Sequence, residues 1–232
     1  MAGPNSNDPP QGGLFARLRD ANAEAWQDYT EHPFLMALAD GNLSEPAFRH
    51  YLIQDFIFLR HFARAYGLAA YKAENLDEIR TASRGLQAIV DVEIGLHESY
   101  CTDWGVDSAT LEAAPEHNAT LAYTRYVLER GMAGDLLDLY VALAPCIIGY
   151  GEIGARLLAN NRTKLEGNRF AAWIEMYGGE DYQTISADAV RYLDQVGRRR
   201  GADSRFSALC RTFAEATRLE AAFWQMGLDA GE

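Results

Sequence analysis

The chain has 232 residues, and because 48% of them are hydrophobic it can bury a large core. Its 33 acidic residues outnumber its 21 basic ones, which gives a formal net charge of −12 at pH 7. That charge opposes binding to nucleic acids and to anionic membranes, so we expect neither as a partner. The three cysteines lack metal-binding spacing, no signal-like segment opens the chain, and no uncharged apolar run has bilayer-spanning length. These features predict a globular protein of the reducing cytoplasm with free thiols.

Apolar residues recur at three- and four-residue spacing from residue 14 onward, which predicts one helix after another and no strands. The first helical block covers about 14–39, and Pro33 should kink or divide it. A second helix begins after Ser44, a favoured N-cap residue, with Pro46 at a position that needs no backbone N–H donor. It should reach about residue 73.

The later helices are separated by short polar or glycine-containing segments, and 104–118 is expected to be a turn-rich connection. No internal repeat or change in composition marks a second domain. We therefore expect a flexible segment over 1–13 and a single all-α domain, a helical bundle, over 14–232. The remaining helices are predicted at about 79–99, 119–131, 136–159, from 170, a short one near 185, and 205–226.

Three of these helices each carry one reactive side chain with an aromatic residue one turn away. A carboxylate on an apolar helix face is costly to bury unless it meets a hydrogen-bond partner, a cation or a ligand, and aromatic neighbours favour a flat ligand. Each residue alone has an ordinary structural interpretation, as a buried thiol, a paired acid or a core aromatic side chain. The groups are Asp55 with Tyr51 and Phe58, Cys146 with Tyr150, and Glu220 with Phe223 and Trp224.

Other chemistries fit the sequence less well. No histidine shares the segment of Cys146, so a cysteine–histidine nucleophile pair is unsupported. Glu93 and His97 have the i, i+4 spacing of half a carboxylate-bridged metal site, but no second pair occurs. A solvated helix pair is the favoured interpretation of these two residues, with a metal-dependent oxygenase as a weaker alternative.

The sequence resembles the TenA/thiaminase II family over nearly the whole chain from about residue 14. The resemblance is carried by five segments whose order and separation fit the family, and the set is more specific than any one motif. They are "HYLIQDFIFLRHFARAYGLAAYKA", "AYTRYVLERG", "ALAPCIIGYGEIG", "WIEMYGGEDY" and "LEAAFWQMGL".

The resemblance implies a haem-oxygenase-like helical fold, a homotetramer, and hydrolysis of aminopyrimidines in thiamin salvage without a metal or organic cofactor. The substrate it implies is 4-amino-5-aminomethyl-2-methylpyrimidine, which loses ammonia to give the hydroxymethyl compound, and some members also cleave thiamin. By the same resemblance Cys146 is the nucleophile, Glu220 the acid/base, and Asp55 the acid that holds the pyrimidine amino group. The tyrosines expected in the pocket are Tyr123, Tyr150 and Tyr177.

Phe58 departs from the family pattern, which has a tyrosine at this position. Phenylalanine keeps the ring but removes a hydroxyl group, so a hydrogen bond to the thiol or the ligand is lost unless Tyr51 or water replaces it. We expect Phe58 and Tyr51 to contact the substrate beside the other pocket residues. The departure also motivates an alternative function, a pyrimidine-binding or regulatory protein that has lost turnover.

Overall fold

The computed structural model describes residues 12–231, without the side chains of Val92 and Leu96. Among these residues the chain forms thirteen α-helices and no strand. The predicted flexible segment 1–13 lies outside these residues except for its last two. The helices are α1 (Leu14–Ala21), α2 (Ala23–Thr30), α3 (Pro33–Ala39), α4 (Glu45–Lys72), α5 (Leu76–Ala88), α6 (Ile94–Asp103), α7 (Ser108–Ala113), α8 (Asn118–Ala133), α9 (Leu136–Ala144), α10 (Tyr150–Ala159), α11 (Ala171–Gly178), α12 (Glu180–Arg199) and α13 (Phe206–Asp229).

Local capping signals place the first four helices. Pro33 occupies the first turn of α3, so the predicted division of the first block is confirmed. A second break at Asn22 was not predicted; its side-chain amide donates to the Leu18 carbonyl at 2.8 Å and competes with the helical backbone. Ser44 caps α4 as predicted, because its hydroxyl accepts from the Ala47 N–H at 3.4 Å.

Two predictions about helix extent were wrong. The connection 104–118 contains α7, whose N-terminus is capped by Asp107 accepting from the Thr110 N–H at 2.7 Å. The helix expected to be short near residue 185 is α12, which has 20 residues. Acidic residues begin it and arginines end it, an arrangement that stabilises the helix dipole.

Two predicted continuous helices are each interrupted by one π-helical turn. The first, Ile89–Glu93, separates α5 from α6, and the second, Pro145–Gly149, separates α9 from α10. Pro145 has no N–H to donate within a helix, and the chain accommodates this by widening the turn. Turns of this kind occur often at functional sites because they redirect the side chains they carry.

Most of the segment Leu136–Ala159 is buried inside the protein, although it is long and apolar enough to cross a membrane. It contains Asp138, Glu152 and Arg156, so it is not an uncharged run, and the prediction that no uncharged apolar run has bilayer-spanning length is not contradicted. Its burial is what a core helix of a folded domain shows.

The centre of the core is formed by α13, which packs against α2, α4, α8 and α9. Its Trp224 is fully buried and stacks on Phe34 at 5.2 Å between ring centroids. Trp224 also contacts Tyr51 of α4 at 5.3 Å and Tyr150 of α10 at 5.2 Å. This aromatic cluster joins four helices, α3, α4, α10 and α13, next to a cavity.

Glycines on one face of α10 allow its neighbours to come close. A Cβ at Gly154 would collide with the backbone of Tyr177 in α11, and one at Gly151 would collide with Ser186 in α12. The absence of side chains here brings α11 near enough for Tyr177 to contact Tyr150 at 4.9 Å between ring centroids. Both tyrosines border the same cavity.

Candidate active site

A cavity of about 790 Å³ lies between α4, α5, α6, α8, α10, α11, α12 and α13, and both π-helical turns contribute to its wall. Seven of the eight residues expected from the sequence to form a site line it, although they come from distant parts of the chain. Those seven are Asp55, Phe58, Tyr123, Cys146, Tyr150, Tyr177 and Glu220.

Tyr51, the eighth, does not line the cavity, so its expected contact with a ligand is corrected. It is 1% exposed and lies behind Asp55, to whose Oδ2 its hydroxyl donates at 3.5 Å. The same hydroxyl accepts from the indole N–H of Trp173 at 3.2 Å. Tyr51 therefore orients Asp55 and does not reach the cavity itself.

Cys146 lies on the second π-helical turn, and its thiol donates to the Leu143 carbonyl at 3.3 Å. Burial is the main reason that the pKa of this thiol is well above its usual range, and the carboxylates of Glu220, Glu93 and Asp55 raise it further. The thiol is therefore protonated at rest. To become a nucleophile it must pass its proton to a nearby base.

Glu220 extends from α13 and accepts a hydrogen bond from the Tyr123 hydroxyl at 2.8 Å. The residue is 2% exposed, and burial raises the pKa of its carboxyl group to about 8, against the opposing effect of the Tyr123 hydrogen bond. A carboxyl group with this pKa can both hold and release a proton near neutral pH, which is the property required of an acid/base group.

Asp55 is held between Tyr51 and His97, whose Nδ1 lies 3.6 Å from Asp55 Oδ2. The other ring nitrogen, Nε2, pairs with the Leu52 carbonyl at 2.8 Å, and because a carbonyl only accepts, Nε2 carries the proton. Burial lowers the pKa of His97, so the ring is neutral, and burial raises the pKa of Asp55 to about 7. A cationic ligand at this carboxyl group would favour its ionised form.

Aromatic side chains form two walls of the cavity. Phe58 lies nearly parallel to the ring of Tyr123 at 5.1 Å between centroids and meets Phe223 edge-on at 6.0 Å. Tyr150 and Tyr177 make an edge-on pair on α10 and α11. Phe58 therefore contributes an aromatic ring to this wall. The hydroxyl of the neighbouring Tyr123 donates a hydrogen bond to Glu220.

Glu93 and His97 line the cavity, so their interpretation as a solvated helix pair was wrong. Their spacing was predictable, but their place at the cavity depends on the packing of the first π-helical turn and α6 against α4, which a helical pattern does not reveal. Within residues 12–231, no group of three or more His, Cys, Asp or Glu side chains is arranged to hold a metal ion. The alternative of a metal-dependent oxygenase therefore gains no support from the geometry.

The cavity wall is rich in carboxyl groups. Six carboxyl groups line it, and its lining among the described residues includes no lysine or arginine. Carboxylates without basic partners favour a cationic ligand. The acidic residues are Asp55, Glu93, Glu175, Glu180, Asp181 and Glu220.

Comparison with known proteins assigns the chain to a family. The profile of the TENA/THI-4/PQQC family matches residues 19–230. The chain belongs to this family. A relative from Halalkalibacterium halodurans, named "Aminopyrimidine aminohydrolase", is 32% identical over 212 residues, which is 91% of this chain and 93% of the relative.

Solved structures similar to this chain share its fold. A protein from Silicibacter sp. TM1040, described as a TenA family transcription regulator, superposes with a TM-score of 0.88 at 46% identity, covering 94% of this chain and 98% of that one. A domain from Shewanella denitrificans with a heme oxygenase-like fold has a TM-score of 0.73 at 12% identity, covering 93% and 92%. The predicted all-α, haem-oxygenase-like fold is confirmed.

Proposed function

We propose that this protein hydrolyses 4-amino-5-aminomethyl-2-methylpyrimidine to the hydroxymethylpyrimidine and ammonia in thiamin salvage, with Cys146 as nucleophile. The observation that carries the proposal is the convergence of Cys146, Glu220 and Asp55 on one cavity from segments far apart in the chain. The relative named "Aminopyrimidine aminohydrolase" supports the reaction class. Thiamin carries its leaving group on the same methylene and is proposed as a second substrate.

Asp55 binds the amino-substituted edge of the pyrimidine ring. Its Oδ2 accepts a hydrogen bond from the Tyr51 hydroxyl, and Asp55 lines the cavity, so its carboxyl group can meet a ligand there. An ionised carboxyl group here favours the protonated ring, which accepts a nucleophile more readily than the neutral ring does. The rings of Phe58 and Tyr123 on one wall supply a flat apolar surface for stacking.

Cys146 and Glu220 carry out the bond changes. Glu220 takes the thiol proton, and the thiolate forms a bond to a ring carbon, which breaks the aromaticity of the pyrimidine. The ring electrons expel the amine from the exocyclic carbon while Glu220 returns the proton to it. Water then adds to that carbon, Glu220 accepts the proton released by the water, and departure of the thiolate restores the aromatic ring. The thiolate finally recovers this proton from Glu220.

The direct test is release of ammonia from the aminomethylpyrimidine by the purified protein. We expect ammonia and hydroxymethylpyrimidine in equal amounts, because each turnover breaks one C–N bond and forms one C–O bond. A control substrate without the 4-amino group should react much more slowly, since Asp55 then loses the group it binds. Tight binding of the pyrimidine without ammonia release would instead favour the non-catalytic, regulatory alternative.

The variant Asp55→Asn should weaken both binding and turnover. Removing the charge takes away a charge-assisted hydrogen bond to the ring, worth about 1.5–3 kcal/mol, so product affinity should fall by roughly 10-fold or more. Calorimetric titration with the hydroxymethylpyrimidine measures this loss. Asp103→Asn, at an exposed position at the end of α6, is the matched control and should bind normally. Unchanged affinity in Asp55→Asn would contradict its proposed role.

Assembly, domain organisation and location are also proposals. We propose a homotetramer, and measuring the mass of the protein in solution tests this. The proposal is supported by three large apolar side chains that are exposed and could be buried between subunits. They are Tyr71 at the end of α4, Leu76 at the start of α5 and Met132 at the end of α8. One core cluster includes buried residues from Leu14 to Met226, which supports a single domain over 14–232. A cytoplasmic location is proposed from the free thiols of Cys101, Cys146 and Cys210.

A further inference from the structure

His97 is a buried histidine at the cavity that the proposed mechanism does not use. It lies on α6 and lines the cavity together with Asp55, and each of the two side chains is 9% exposed. Its Nε2 donates to the Leu52 carbonyl at 2.8 Å, and burial lowers the pKa of the ring, so the ring is neutral and Nδ1 carries no hydrogen. Nδ1 is therefore a hydrogen-bond acceptor, and no described residue donates to it.

Two acceptor atoms thus lie side by side at the wall of the cavity. His97 Nδ1 is 3.6 Å from Asp55 Oδ2. Once Asp55 is ionised, as binding of a protonated pyrimidine requires, neither atom has a hydrogen to donate to the other. Among the described residues only the Tyr51 hydroxyl donates to this pair, at 3.5 Å from Oδ2. Buried acceptors need hydrogen-bond partners, so this pair requires donors from a ligand.

An exocyclic amino group carries the donors that the pair lacks. It has two N–H groups, and because the two acceptors are only 3.6 Å apart, its nitrogen can lie about 2.9–3.0 Å from both. A hydroxyl group has one hydrogen and a carbonyl group has none, so neither can satisfy both acceptors. A metal ion fits less well, because no third His, Cys, Asp or Glu side chain within residues 12–231 joins the pair as a ligand.

We propose that His97 is a specificity-determining residue whose Nδ1 accepts one N–H of the 4-amino group of the pyrimidine while Asp55 Oδ2 accepts the other. This role rests on the proposed function and adds to it a reason for selecting 4-aminopyrimidines over pyrimidines with a hydroxyl or carbonyl group at the same carbon. The other oxygen of Asp55, Oδ1, has no partner among the described residues and remains available to the protonated ring nitrogen. The arrangement uses neither Cys146 nor Glu220, so both stay free for the bond changes at the 5-methylene.

The test measures binding of two ligands by calorimetry. The ligands are the hydroxymethylpyrimidine and an analogue of it with hydrogen in place of the 4-amino group. In His97→Gln the amide N–H can still donate to the Leu52 carbonyl, but the acceptor at Nδ1 is lost. We expect this variant to bind the 4-amino ligand about 5-fold or more weakly, and the analogue less than about twofold more weakly, than the unmodified protein does. His50→Gln, on α4 and outside the cavity lining, is the matched control and should change neither affinity.

A measurement on the unmodified protein tests the same contact without a substitution. Nitrogen NMR of the histidine side chains should show Nδ1 of His97 as an unprotonated nitrogen. Its resonance should move toward that of a hydrogen-bonded nitrogen when the 4-amino ligand binds, and not when the analogue binds. This readout decides the question if His97→Gln does not fold.

The outcomes separate recognition of the amino group from support of the cavity. An equal loss of affinity for both ligands in His97→Gln would show that the histidine only maintains the shape of the site and would overturn the proposal. Unchanged affinity for the 4-amino ligand, or an Nδ1 resonance that is the same with both ligands, would overturn it as well. If the unmodified protein binds neither pyrimidine, the proposed function itself is overturned, and the role of His97 with it.

Discussion

Cys146→Ser should lower the rate of ammonia release by roughly 10³-fold or more, because a serine hydroxyl is a far poorer nucleophile than a thiolate when the only base is a carboxyl group. The hydroxyl fits the space of the thiol, which is already enclosed by the wall of the cavity. Binding of the hydroxymethylpyrimidine should therefore change little. Steady-state ammonia release, measured beside calorimetric binding, separates the two effects.

Cys210→Ser is the matched control for this experiment. Cys210 is half-buried on α13 and does not line the cavity, so its replacement should leave ammonia release unchanged. A Cys146→Ser protein with near-normal turnover would rule out the thiol as nucleophile. A loss of turnover confined to Cys210→Ser would place the reactive thiol elsewhere.

Glu220→Gln should lower turnover by roughly 10² to 10⁴-fold, since glutamine keeps the size of the side chain and removes both proton transfers. The amide oxygen can still accept the hydrogen bond from Tyr123, so the geometry around the thiol is preserved. Ammonia release is the measurement, and product binding should suffer much less. Glu215→Gln, at a half-exposed position of α13 paired with Arg218, should behave like the unmodified protein. Normal turnover in Glu220→Gln would show that the acid/base is another group.

The same substitution should increase the stability of the fold. The pKa of Glu220 is raised to about 8, so near pH 7 the folded protein keeps a proton that the unfolded chain releases. Retaining it costs about 3 kcal/mol at pH 7, and glutamine removes this cost. Because the cost grows as pH rises from the unfolded pKa toward the folded one, the gain in free energy of unfolding should vanish near pH 4 and be largest above pH 8. Urea unfolding at several pH values measures it, and an equal gain at all of them would contradict an origin in the shifted pKa.

Helix starts were predictable from the sequence wherever the signal was local. Ser44 with Pro46 marked the beginning of α4, and Pro33 marked the division of the first block, because capping and the missing proline N–H act within one helical turn. The π-helical turn that begins at Pro145 was not predicted. Whether a proline bends, breaks or widens a helix depends on the neighbours that accept the change.

The residues of the candidate site could be predicted from the sequence mainly as a group, and less well one by one. Cys146, Asp55 and Glu220 each had an ordinary structural interpretation, and only the ordered motifs of the family joined them before the cavity was seen. The position of each residue within the site was harder to predict from the sequence. Tyr51, expected to touch the ligand, lies behind Asp55, because the rotation of α4 is set by the aromatic rings of Trp224 and Trp173 packed around it.

The sequence by itself determined the all-α class, most helix starts, the free thiols and the identity of the candidate reactive residues, because periodicity, capping and motif spacing are written along neighbouring positions. The tertiary structure alone decided which polar side chains lose contact with water. Glu93 and His97 have the spacing of a solvated pair, yet packing of the first π-helical turn and α6 against α4 places both at the cavity. The burial that shifts the pKa of Glu93, and its lack of a partner among the described residues, arise from residues far away in the chain, so no local pattern could have revealed them.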